Sequence, residues 1–95
     1  MKTLWRKQVR RRIEQTRGKI FCAQFLKRST REKRTMVARV GVRKGVKGVG
    51  LNFDPVEKNL VVVFDMHKDE FRMIPIEGLR RLRVRGRLYR IKGEV

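Results

Sequence analysis

Leu60-Val61-Val62-Val63-Phe64-Asp65-Met66-His67-Lys68-Asp69-Glu70-Phe71-Arg72-Met73-Ile74-Pro75-Ile76 is the stretch that decides the fold. Its first five residues are apolar on both faces of an extended chain, and three of them are β-branched, the composition of a buried strand. The polar run over residues 65–70 predicts a hairpin connection. Residues 71–76 then return as the next strand, with Pro75 at its end or on an edge, because proline has no N–H to give to a ladder. The expectation is a mainly β protein in which residues 60–64 form the central, most buried strand. Glu77-Gly78-Leu79 is too short for an α-helix and fits one 3₁₀ turn.

Downstream, apolar and cationic residues alternate. Leu82, Val84 and Leu88 fall on one side and Arg81, Arg83, Arg85 and Arg87 on the other, with Gly86 permitting a bend or tight turn before residues 89–91. Alternate residues of a strand lie about 6.6 Å apart, so the arginines predict a ladder of charge. Charges that protect an edge strand from sheet extension account for some of them, but not for so many with no acid between.

Upstream lies Arg39-Val40-Gly41-Val42-Arg43-Lys44-Gly45-Val46-Lys47-Gly48-Val49-Gly50, which also lacks an acid. Its glycines exclude a regular helix and predict a loop or bulged hairpin with accessible backbone N–H groups. Arg39, Arg43, Lys44 and Lys47 add positive charge, and together these features predict an anion site, phosphate first among the candidates. A Walker loop is excluded, because no spacing provides its Gly-Lys-Ser/Thr end, and a KH clamp is excluded because the flanks read as strands.

Towards the N-terminus, residues 20–26 read as the first strand, with Cys22 a small core residue. Residues 27–33 read as a turn, residues 35–40 as a second strand, and Asn52-Phe53-Asp54-Pro55 as a chain reversal. Over residues 3–17, Trp5, Val9 and Ile13 recur at helical spacing, Leu4 widens the stripe, and Gly18 is a natural stop. This stripe either docks on the domain or orders on a partner. Arg10, Arg11 and Arg12 on the cationic remainder are assigned to a nucleic-acid footprint, with a mitochondrial-type presequence as the rival reading. The division expected is a basic amphipathic helical extension over 1–18 and a β-barrel over 19–95.

The 95 residues suffice for one small core, and 27 Lys and Arg against 9 Asp and Glu leave a net charge of +18. Self-repulsion of that size disfavours a compact chain without a polyanion. Nucleic acid is therefore the first expected partner, and an acidic protein or a ribonucleoprotein the second. One cysteine and one histidine form no metal constellation, and no nucleophile and base pair is spaced for catalysis, so neither metal, cofactor nor enzymatic activity is expected. His67 is expected to be solvated. No run of about 18 apolar residues predicts a membrane span, and the first residues lack the apolar segment of a secretory signal, so a reducing, cytoplasmic setting is expected. Trp5 and Tyr89 are the aromatic residues expected to be free for base stacking, while Phe21, Phe25, Phe53, Phe64 and Phe71 are expected to fill the core.

Five or six short strands with a 3₁₀ turn before the last predict a small, strongly bent barrel. The order and spacing of the blocks at residues 34–48, 60–66, 71–75 and 82–89 resemble the phage-associated WYL-like, Sm-like SH3 β-barrel proteins, over roughly residues 19–91. The resemblance implies an SH3-like barrel and a bacteriophage origin, hence a setting in the host cytoplasm. Residues 1–18 lie outside it, and the hairpin at Arg28-Ser29-Thr30-Arg31-Glu32 lacks the Asp-Gly turn expected there.

The function expected is non-enzymatic binding of RNA or DNA, with phosphates contacted by the glycine loop and the arginine-bearing strand. The alternative is an accessory protein that binds an acidic host or virion protein, or the ribosome or RNA polymerase machinery.

Overall fold

The computed structural model describes residues 1–42 and 53–95. The part of the glycine-rich stretch that carries Arg43, Lys44 and Lys47 lies outside the described residues. In chain order the elements are β1 (Lys2–Trp5), a 3₁₀ turn (Arg6–Gln8), α1 (Val9–Glu14), β2 (Phe21–Leu26), β3 (Lys33–Arg39), β4 (Leu60–Asp65), β5 (Glu70–Pro75), a second 3₁₀ turn (Ile76–Gly78), β6 (Leu79–Val84) and β7 (Arg87–Lys92). The strands form one sheet in the order β1-β7-β6-β2-β3-β4-β5. Among the described residues it does not close into a barrel by hydrogen bonding, because β1 and β5 remain its two edges.

The structure is mainly β, as expected, but with seven strands among the described residues where five or six were predicted. The additional pairing comes from the N-terminus. Residues expected to begin a helix instead form β1, which runs parallel to β7 with Leu4 beside Ile91 and Trp5 beside Lys92. The helix contracts to Val9–Glu14, and Gly18 ends the following turn at φ +88°, where glycine is tolerated without a Cβ penalty. Leu4, Val9 and Ile13 enter the same core as Phe21, Leu79 and Leu82. Trp5 does not: strand geometry sends it to the opposite face from Leu4, and it is 56% exposed.

Central position also differs from expectation. The middle of the sheet is β2, paired with β3 on one side and β6 on the other along most of its length. β4 is next to the edge, and among the described residues it meets β3 only through Ala38–Asp65 and Arg39–Phe64. Val61 and Val63 face the core while Val62 is 38% exposed. An apolar run signals that both faces can be covered, and here the outer face of β4 and β5 is only partly covered. Phe64 and Phe71 pack edge to face there, with centroids 5.2 Å apart, and Phe71 stays 41% exposed. Phe53 is likewise exposed, so Phe21, Phe25 and Phe64 are the phenylalanines that become buried. Cys22 points away from the core and is half-buried, because Phe21, Ala23 and Phe25 take the inward positions of β2.

Two turns set the geometry of the arginine-bearing face. Gly78 lies so close to Leu26 that an added Cβ would sit 2.5 Å from its carbonyl oxygen, which brings the start of β6 against the end of β2. At the other end of β6, Arg85 and Gly86 both have positive φ, 50° and 77°, the combination that a tight two-residue hairpin needs. The chain therefore reverses within the arginine ladder. The Asp-Pro reversal forms as predicted, with the Val56 N–H donating to Asp54 Oδ1 at 2.9 Å.

Candidate nucleic-acid interface

The hairpin at Arg85–Gly86 redistributes the arginines. Arg81 and Arg83 leave β6 on the outer face, as the alternation requires, but the return strand β7 places Tyr89 and Ile91 inward and Leu88, Arg90 and Lys92 outward. Arg81 stands directly opposite Arg90, and Arg83 opposite Leu88. The single-strand ladder is thus a two-strand patch.

A register shift between Gln24 and Phe25 sharpens it. Gln24 is opposite Arg81 whereas Phe25 is opposite Leu79, so Arg80 is an extra residue on β6. A bulge of this kind breaks the alternation locally, and both Arg80 and Arg81 become exposed. Together with Lys33, Arg90 and Lys92 they line a groove of about 550 Å³ floored by Gln24 and Leu26. Arg80, Arg90, Lys92 and Lys33 are not among the cations that the sequence assigns to the site. The Tyr-Arg-Ile-Lys alternation of residues 89–92 signals two of them; nothing local signals the bulge.

No Asp or Glu occurs in β1, β2, β3, β6 or β7. Acids enter the sheet only in β4 and β5. Trp5 lies at the β1 border of the acid-free face, with Cε3 3.2 Å from where a Cβ on Gly93 would be. Gly93 therefore leaves the indole room to lie against the backbone. A flat, exposed aromatic beside Lys92 can stack a base while the cations hold phosphates.

Of the other residues predicted for the site, Arg85 and Arg87 are exposed at the β6–β7 turn. The register Val84–Phe21–Ala38 puts that turn at the same end of the sheet as Arg39 and Gly41. Arg39 is half-buried opposite Phe64, and its Nε is buried without a hydrogen-bond partner among the described residues. It lies six residues along β3 from Lys33, about 20 Å from the groove.

The helix arginines are divided. Arg10 Nη2 donates to the Leu60 carbonyl at 2.9 Å. Arg12 Nη2 donates to the Tyr89 hydroxyl at 3.3 Å, and its guanidinium lies 5.4 Å from the centre of that ring. The hydrogen bond from Arg12 holds the Tyr89 phenol below its ordinary pKa, and Tyr89 is only 8% exposed, so it is no stacking platform. Arg11 alone of the three is exposed; Arg10 and Arg12 are half-buried. Arg6, which no sequence pattern singles out, donates to the carbonyls of Gly93, Ile76 and Leu79, each at 2.7 Å, and burial lowers its pKa. These side chains satisfy backbone acceptors and fasten the N-terminal segment.

Among the described residues no group of three His, Cys, Asp or Glu side chains is placed to hold a metal ion, and no helix is long and apolar enough to cross a membrane. No family model, curated protein or solved structure matches the chain.

Proposed function

We propose that the protein is a non-enzymatic nucleic-acid-binding protein with an SH3-like, Sm-like core. The core reading is supported by the order β6-β2-β3-β4-β5, in which the meander from β2 to β5 is followed by a 3₁₀ turn that returns β6 to the side of β2. Such folds serve many functions, so the functional reading rests on the site. The observation that carries it is the acid-free outer face, where Arg81 and Arg90 are directly opposed. Like charges across a pair of strands destabilise a sheet, and a polyanion removes that cost.

Phosphates bind along the groove through Arg80, Arg81, Arg90, Lys92 and Lys33, and Trp5 stacks a base at its border. Stacking requires an unpaired base, so single strands are preferred to duplexes. Arg83, Arg85 and Arg87 extend the contact towards the glycine-rich stretch.

Trp5 is the sole tryptophan and reports binding directly. Titration with a single-stranded oligonucleotide should quench its fluorescence, and the logarithm of affinity should fall linearly with the logarithm of salt concentration. Unchanged Trp5 emission together with a slope near zero would refute the proposal.

A further inference from the structure

A second concavity lies elsewhere, between the β2–β3 hairpin on one side and the start of β4 with β5 on the other. It is a cleft of about 360 Å³ whose apolar walls are Phe25, Met36, Leu60, Met73 and Pro75, rimmed by Lys27, Arg28, Arg34 and Arg72. None of these belongs to the groove described above. We infer that this cleft binds an extended, acidic segment of a partner protein that packs an apolar side chain against Leu60 and Met73, the half-buried residues of its walls.

Four observations select this occupant. The walls are mostly aliphatic and thioether surface, which adapts to a side chain of irregular shape. Phe25 is 3% exposed and presents no open face on which a base could stack. The rim is cationic but not acid-free: Arg28 is paired with Glu77, and Arg72 Nη2 lies 3.0 Å from Glu70 Oε1. With Arg28 and Arg72 already engaged, Lys27 and Arg34 can each meet a single Asp or Glu side chain but are too few open cations for a run of phosphates. Finally, β5 ends the sheet, so one edge of it carries N–H and C=O groups that no described strand pairs. An extended peptide can use such an edge for main-chain hydrogen bonds while its side chains enter the cleft.

The full chain, labelled with carbon-13 at its methionine methyls, provides the test, with an acetylated Asp-Asp-Phe-Asp-Leu-Asp peptide as probe. At about 1 mM peptide, the Met36 and Met73 resonances should shift while those of Met1 and Met66 stay in place. A peptide with alanine for Phe and Leu should shift neither. Met73→Glu and, separately, the rim substitution Arg34→Glu should each weaken binding about tenfold. Arg81→Glu with Arg83→Glu should leave it unchanged, which separates this cleft from the nucleic-acid face. Absence of a shift, an equal shift with the alanine peptide, or a larger shift with a single-stranded oligonucleotide would overturn the inference.

Discussion

The acid-free strands and the β4–β5 hairpin use arginine in opposite ways. On β6 and β7, Arg81 and Arg90 oppose one another across the ladder, and Arg80 and Arg83 stand exposed beside them. On β5, Arg72 lies between Glu70, at 3.0 Å, and the buried Asp65, at 4.0 Å. Asp65 also accepts hydrogen bonds from the His67 and Lys68 backbone, so its charge is held by the turn as well. One region leaves its positive charge uncompensated; the other neutralises it locally. A single residue type therefore says little about role until its neighbours are known.

The largest effect expected from disturbing this contrast is on binding. Arg81→Glu, Arg83→Glu and Arg90→Glu together should lower oligonucleotide affinity more than about 200-fold near 0.1 M salt and reduce the salt slope by about 0.7 to 0.9 for each phosphate that is no longer neutralised. Reversing Arg28 and Arg72 should leave both quantities nearly as they were. Comparable losses from the two sets, measured by Trp5 quenching, would erase the distinction between the regions.

Next in size is the junction between them. Gly78→Ala forces a Cβ towards the Leu26 carbonyl oxygen, which is backbone and cannot rotate aside. A destabilisation of about 1 to 3 kcal/mol in urea unfolding is expected, as for other overpacked sites. An unchanged midpoint would mean that β2 and the second 3₁₀ turn can separate freely.

A smaller effect should have opposite signs in the two regions. Arg90→Glu converts a like-charge pair with Arg81 into an attractive one and should raise stability by about 0.5 kcal/mol while weakening binding. Arg72→Glu adds a third acid beside Asp65 and Glu70 and should lower stability. Thermal unfolding of both variants at low salt gives the comparison.

The smallest concerns pH. The hydrogen bond from Arg28 holds the Glu77 carboxyl below its ordinary value of 4.5, with burial opposing. A depressed carboxylate contributes stability that is present above the unfolded value and is lost as pH falls through the folded one. The pair is well exposed, so Glu77→Gln should cost less than about 1 kcal/mol at pH 7, and the difference from the parent should vanish as the pH falls well below 4.5. A difference that grows on acidification would show that another group controls the pair.

Local pattern made several features legible. The strand character of residues 60–64 and 71–76, the polar turn between them, the Asp54-Pro55 reversal and the short turn near Gly78 each depend on residues close in sequence, and each formed, except that Ile76 leaves the strand to open the 3₁₀ turn. The outward direction of Arg81 and Arg83 was readable for the same reason, since strand alternation needs no partner. The helix was readable only in part. Val9 and Ile13 fit its period, but Leu4 and Trp5 fit a strand equally well, and that choice depended on β7 offering an edge.

What the sequence determined by itself was the excess of cations, the β-rich pattern and the absence of acids from the segments around residues 81–92. Tertiary structure decided which cations remain available. Arg10 and Arg12 looked as free as Arg11, yet carbonyl and phenol groups from distant strands take them up. Arg80, Arg90, Lys92 and Lys33 came together through a bulge and a hairpin whose register is set between strands. Charge and periodicity are properties of neighbouring residues, whereas pairing, burial and hydrogen-bond satisfaction exist only between segments that folding brings together.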